Sequence, residues 1–174
     1  MKKALLVFCL LSIISIISFL FFINSEPVKF ETASVAGKFS ISVPEHLIRT
    51  DSIDPNALIQ YQNVGDHLVL LVYEKKDSVK NVLEASFKNL TNELIAKIER
   101  GTLLKYFPKK INSRNAIVGN IRGNVNGTTV YYRIAVIEGA GSFYQIIVGV
   151  LEDNRSSFDE DINSIIDSFI ILPS

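Results

Sequence analysis

Residues 116–125 (AIVGNIRGNV) and 128–138 (TTVYYRIAVIE) are two apolar-rich runs joined by Asn126-Gly127. A tight type I′ turn needs positive φ at both central positions, and Asn followed by Gly tolerates that best. The dipeptide therefore predicts an antiparallel hairpin with a fixed register. Turn residues 139–142 follow, and then residues 143–151 (FYQIIVGVL), apolar on both faces. A strand buried on both faces needs cover above and below the sheet. A meander with two covering layers is thus the frame into which the rest of the chain must fit.

The remaining segments supply that cover. Residues 79–100 place Val79, Val82, Leu83, Phe87, Leu90, Leu94 and Ile98 at spacings of three and four, which predicts a long amphipathic helix. Asp77 or Ser78 is the expected N-cap, and Gly101 the expected left-handed C-cap. A shorter closing helix is expected from a capping box of Ser157 and Glu160, with Phe158, Ile162, Ile165, Ile166 and Phe169 on one face. Further strands are expected at Phe39–Val43, which alternates and is stopped by Pro44, and at residues 58–62, 67–74 and 103–111. Asp54-Pro55-Asn56 reads as a turn. The expected fold class is α+β: an antiparallel sheet of about six or seven strands with a long helix on one side and a shorter C-terminal helix on the other, an αβα sandwich.

Lys2 and Lys3 precede twenty uncharged, mostly apolar residues, 4–23. At about 1.5 Å per residue a helix of that length matches one hydrocarbon thickness. The lysines favour an orientation with the rest of the chain outside the cytoplasm. A signal peptide and an uncleaved anchor both fit. The expected organisation is residues 1–25 as signal peptide or membrane anchor, 26–36 as linker and 37–174 as one domain. The expected location is the cell membrane, or the periplasm or exterior if the segment is cleaved. Cys9 is the single cysteine and lies inside the apolar run, too early for a lipid-attachment site.

Charge excludes one class of function. Without the first 27 residues the chain keeps 16 basic and 17 acidic side chains, so nothing favours nucleic-acid binding. Catalytic chemistry finds no motif. His46 and His67 are the only histidines, too few and too far apart in sequence for a zinc site, and no serine lies in a nucleophile elbow. Ser40 and Ser42, near Glu45 and His46, fall on the polar face of an alternating strand. The acidic run Glu152, Asp153, Asp159, Glu160 and Asp161 lacks the glycine of a calcium loop and suits the N-terminal end of a helix. Tyr131, Tyr132, Phe143 and Tyr144 read as packing within the meander. The expectation is no enzyme, no cofactor and no metal. One candidate surface remains: Lys105, Lys109, Lys110, Arg114 and Arg122, a basic patch for an acidic partner or anionic lipid, or simply solvated strand-end charges.

Three features in order resemble the PsbP-like family, the Mog1/PsbP/DcrB-like fold. They are Phe39-Ser40-Ile41 with Pro44; the long helix followed by a meander punctuated by Gly119, Gly123 and Gly127 with Thr129-Val130-Tyr131-Tyr132; and a closing helix ending in Ser168-Phe169. The resemblance covers residues 37–172. Two departures stand out: Leu47 holds a position where many relatives have tryptophan, and the lipid-bearing cysteine of bacterial relatives is missing. The resemblance implies a non-enzymatic accessory domain. Such domains support photosystem assembly, bind a small GTPase, act in the bacterial envelope or chaperone effectors. For this chain it implies a protein partner at the membrane or envelope. The alternative is a small apolar ligand held between the sheet and the long helix.

Overall fold

The computed structural model describes residues 28–76 and 82–173. The apolar run 4–23, the segment 1–25, and Asp77, Ser78 and Val79 lie outside them. Among the described residues no helix is long and apolar enough to cross a membrane.

The elements follow in the order β1 (Phe30–Val35), β2 (Phe39–Pro44), β3 (Ile48–Arg49), β4 (Ile59–Asn63), β5 (Leu68–Lys76), α1 (Leu83–Lys97), β6 (Glu99–Ile111), β7 (Arg114–Val125), β8 (Thr128–Glu138), β9 (Ser142–Leu151), a single 3-10 turn (Glu152–Asn154), α2 (Arg155–Asp167) and β10 (Ile170–Ile171). Seven strands form an antiparallel sheet in the order β3-β4-β5-β9-β8-β7-β6. Asn126 and Gly127 have φ of 51° and 80°, so the β7–β8 hairpin closes on the expected turn. The architecture is the expected α+β sandwich, with a helix on each face.

A second, three-stranded sheet, β1-β2-β10, adds to one face. It corrects two expectations. Phe39–Pro44 is a strand, but of this small sheet, and the stretch expected as linker contains β1, paired with β2 from Phe30↔Pro44 to Val35↔Phe39. Periodicity could not show β1, because Ala33 is its one fully buried side chain. Main-chain pairing holds it.

The small sheet and α2 close the larger core. Phe39 stacks on Phe169 with centroids 5.0 Å apart, and Tyr144 packs against both rings. Ser168 fixes the join: its Oγ donates to the Ile165 carbonyl at 2.7 Å and accepts from the Ser42 N–H at 2.8 Å. Leu47 is buried in the same core. The opposite face holds α1, whose Phe87 and Leu90 pack on Ile117, Ile121, Ile134 and Ile147.

Both helices depart from their expected ends. The helical residues of α1 begin at Leu83, after Val82, and no side chain caps them. At the other end Ile98 is already extended, and the positive φ falls on Arg100 rather than Gly101. Gly101 is needed for space: a Cβ there would lie 2.8 Å from Ile98 Cγ1 and 3.0 Å from the Ile95 backbone. The chain turns straight from helix into β6. In α2 the 3-10 turn brings the helix start forward to Arg155, so Ser157 falls within the first turn and no capping box forms.

Candidate functional site

Strand alternation divides the side chains of the large sheet between an α1 face and an α2 face. Tyr131 and Tyr144 point into the α2-side core, while Tyr132 and Phe143 lie with the α1-side cluster. The aromatics of the meander are therefore packing residues on both sides.

The same alternation separates the basic group. Pairing sets Lys105 opposite Asn120, Lys109 opposite Ala116, Ile111 opposite Arg114 and Thr102 opposite Arg122, all on the α2 face; Lys110, opposite Asn115, lies on the α1 face. Lys109 Nζ contacts Asp167 at the end of α2, at 2.7 Å to Oδ2. Arg122 Nε lies 3.9 Å from Glu152. Among the described residues no carboxylate lies within ion-pair distance of Lys105, Lys110 or Arg114.

Arg114 and Arg122 lie on β7, whereas Lys105, Lys109 and Lys110 lie on β6, the outer strand of the sheet. It runs for 13 residues, and among the described residues one of its main-chain edges is unpaired. Tyr106 is 60% exposed, Leu104 47% and Phe107 43%, and Val82, at the start of α1, is 65% exposed. Phe87 supports Tyr106 from beneath, with ring centroids 5.4 Å apart. A groove of about 570 Å³ runs between the start of α1 and the end of β6, lined by Val82, Leu83, Pro108, Lys110 and Ile117 among others.

A second concavity lies where α1 leaves the sheet uncovered. A cleft of about 690 Å³ has Leu71, Tyr73, Tyr132 and Ile147 as floor and Leu90, Leu94 and Ile98 as helical wall. Asp54 lies on its rim. The turn 54–56 is pinned there by Gln60, whose Oε1 accepts from the N–H groups of Ile53 and Asp54, both at 2.9 Å. Asp54 accepts from the Asn56 N–H at 2.9 Å and from the Tyr73 hydroxyl at 3.0 Å. These bonds, the Asn56 N–H first, lower its pKa below the usual carboxylate range. Burial, with the adjacent Asp54, pushes the Tyr73 phenol well above its ordinary value. Burial alone raises Tyr132. Tyr132 lies across Gly149, where a Cβ would meet its ring at 2.7 Å. The cleft continues past Tyr132, Val69 and Val125 into a groove of about 460 Å³ that reaches His67 and Asn126.

No catalytic grouping emerges at either place. His67 lies at the β4–β5 turn with positive φ, whereas the His46 ring packs 5.8 Å from Phe158 beside α2. No three metal-ligating side chains group together among the described residues. The acidic run is engaged in packing rather than only in the helix dipole. Asp159 takes the Arg133 guanidinium at 2.9 Å, Glu152 lies 3.7 Å from Arg155, and Asp161 is buried. Arg133, 8% exposed, also donates to Asn120 Oδ1 at 3.1 Å and to the Tyr131 hydroxyl at 3.0 Å. This network ties α2 to the sheet. Its one signal in the sequence is an arginine on the same strand face as Tyr131, Ala135 and Ile137.

No family model and no curated protein matches the sequence. Solved structures do match. The chain is similar to cyanobacterial PsbP (CyanoP) from Synechocystis sp. PCC 6803, with TM-score 0.67 and 11% identity over 86% of this chain and 96% of that one. It is similar to the Saccharomyces cerevisiae Ran-binding protein Mog1p, with TM-score 0.61 and 12% identity over 84% and 97%. It is also similar to LpqN of Mycobacterium tuberculosis, involved in cell envelope biogenesis, with TM-score 0.57 and 15% identity over 87% and 95%. The chain has the Mog1/PsbP-like fold.

Proposed function

We propose that this Mog1/PsbP-like domain is a non-catalytic accessory module that binds a protein partner in the cell envelope, held outside the cytoplasm by residues 4–23. One observation carries the reading: the 13-residue border strand β6 leaves Leu104, Tyr106 and Phe107 exposed beside Lys105 and Lys110, which have no ion-pair partner among the described residues. Apolar side chains gathered on a long open edge are a liability that folded proteins ordinarily suppress, unless another chain covers them. The solved structures of similar fold include a Ran-binding protein and an envelope-biogenesis protein, which agrees with a binding role and with the location.

The test is site-specific photocrosslinking in cells, with the reactive group at Tyr106 in the full chain and, as control, at the exposed Ser157 on α2. Capture of a membrane or envelope protein at Tyr106 and not at Ser157 is expected. Equal capture at both positions, or none, overturns the reading. Recovery of the intact chain, residues 1–25 included, as a soluble cytosolic protein overturns the location.

A second reading is favoured by the cleft beside α1, whose size suits a small apolar ligand. Against it, Leu71 and Tyr73 on the floor remain half-exposed, and Asp54, Glu93 and Lys97 stand on the rim. Buried apolar ligands are held by closed walls, so this open cleft ranks second. A Leu94→Trp variant that displaced a bound apolar fluorophore would bring it forward.

A further inference from the structure

We infer that the outer edge of β6 is a strand-addition site for an extended acidic segment of the partner, its carboxylates alternating with apolar residues. The inference rests on the binding role proposed above and gives that partner its chemistry.

The main chain comes first. β6 and β7 are joined by Asn112 and Ser113, both at positive φ (44° and 72°), a two-residue hairpin loop. The residues flanking such a loop, Ile111 and Arg114, form a hydrogen-bonded pair, and bonding then alternates along the ladder. Lys109, Phe107 and Lys105 therefore direct their main-chain groups toward β7. Lys110, Pro108 and Tyr106 direct theirs outward. The free edge offers carbonyls at all three positions and N–H groups at Tyr106 and Lys110; Pro108 has none to give. Beyond Lys105 the pairing shifts at Leu104, a bulge that ends the regular edge.

Side chains set the composition of the added strand. Its residues on the α2 face would lie beside Lys105, Phe107 and Lys109, of which Lys109 already pairs with Asp167 and Lys105 has no ion-pair partner among the described residues, and those on the α1 face beside Tyr106, Pro108 and the groove bounded by Val82 and Leu83. Carboxylates suit the first position and apolar groups the second, which is the alternation a strand supplies. Charge excludes the simplest other occupant. β6 carries Arg100, Lys105, Lys109 and Lys110 against Glu99, so a second copy paired along the same edge would set like charges together. Lysines and a proline are what an edge uses to refuse indiscriminate pairing. Here they stand among exposed aromatics on a long strand, so the edge rejects its own kind and remains open to an acidic one.

The experiment uses the full chain in non-ionic micelles and a fluorescein-labelled peptide of alternating glutamate and valine, read by anisotropy. Binding that weakens with salt is expected, together with slowed hydrogen exchange at the Tyr106 and Lys110 amides. Lys105→Glu should weaken binding by roughly tenfold or more without moving the unfolding midpoint. N-methylation of the valines, whose N–H groups would face the β6 carbonyls, should abolish binding. No binding, equal binding of the N-methylated or a lysine–valine peptide, or dimerisation through β6 overturns the inference. Peptide failure with capture at Tyr106 intact overturns strand addition alone; loss of capture as well overturns the binding role.

Discussion

Gly119→Ala tests how the β6 border is held in place. Gly119 lies on the α1 face of β7, and a Cβ there would stand 2.5 Å from Phe87 Cζ, 3.0 Å from Phe87 Cε2 and 3.3 Å from Tyr106 Cβ. The Phe87 ring, 4% exposed, is wedged between helix and sheet, so it cannot swing into solvent. Overpacking of this kind costs about 1–3 kcal/mol, and the reduced freedom of the unfolded chain returns about 0.4–1 kcal/mol, leaving a net loss of about 1–2 kcal/mol. At this chain length that lowers the melting temperature by about 2–8 °C. Phe87→Leu alone costs a cavity, but it removes the ring atoms that the new methyl strikes. The double variant should therefore be more stable than the sum of the single losses by about 1 kcal/mol or more, as expected for groups in contact. Urea titration of the full chain, followed by far-UV circular dichroism, measures all four corners of the cycle. Additivity within about 0.5 kcal/mol would refute the close approach.

Further expectations concern the rest of the framework. Arg133→Ala leaves Asn120 and the Tyr131 hydroxyl without the partner they have now, and should cost about 2–4 kcal/mol in the same titration; Arg133→Lys should recover only part of it, because one ammonium cannot reach the same set of acceptors. Gly127→Ala forces a Cβ onto a residue at φ 80° and should cost about 1–2 kcal/mol, read as a shift in urea midpoint. Burial raises the Asp161 pKa, opposed by nearby His46 and assisted by Glu160. Its stabilising contribution is then complete below the unfolded pKa of about 4 and is lost as pH rises through the folded value. Asp161→Asn should gain stability relative to the wild type as pH rises from about 4 toward neutrality; a difference that does not change with pH would refute this.

The fold was legible where the signal is local. Asn126-Gly127 announces its hairpin because the backbone at both positions is unusual. The apolar stripe of α1 announces the helix, although Val82 belongs to the stripe by spacing and ends 65% exposed. β1 left no such trace, since its partner β2 supplies main-chain groups rather than a demand for apolar side chains. The Arg133 network was hidden for a related reason. Its partners Asn120, Asp159 and Asn163 lie 13, 26 and 30 residues away, and only the completed sandwich brings them together. The basic group was visible as composition, but its split between two faces depends on strand pairing and on the bulge at Leu104. The cleft depends on how far α1 reaches across the sheet, which no periodicity reports.

Several of the residues that carry the family resemblance are engaged in packing. Phe39 meets Phe169, Ser168 bonds the Ser42 N–H, and Gly119 and Gly123 admit Phe87 and Ile98. These side chains are consumed by the core, which leaves them unavailable to a partner. On the proposed binding role, partner choice is written in side chains whose exposure the core does not require. Leu104, Tyr106 and Phe107 fit that description, and they lie on a long strand whose outer main-chain edge is unpaired in the sheet order. On that role, partner choice can change with the charge and apolar content of this edge while the sandwich beneath it is kept.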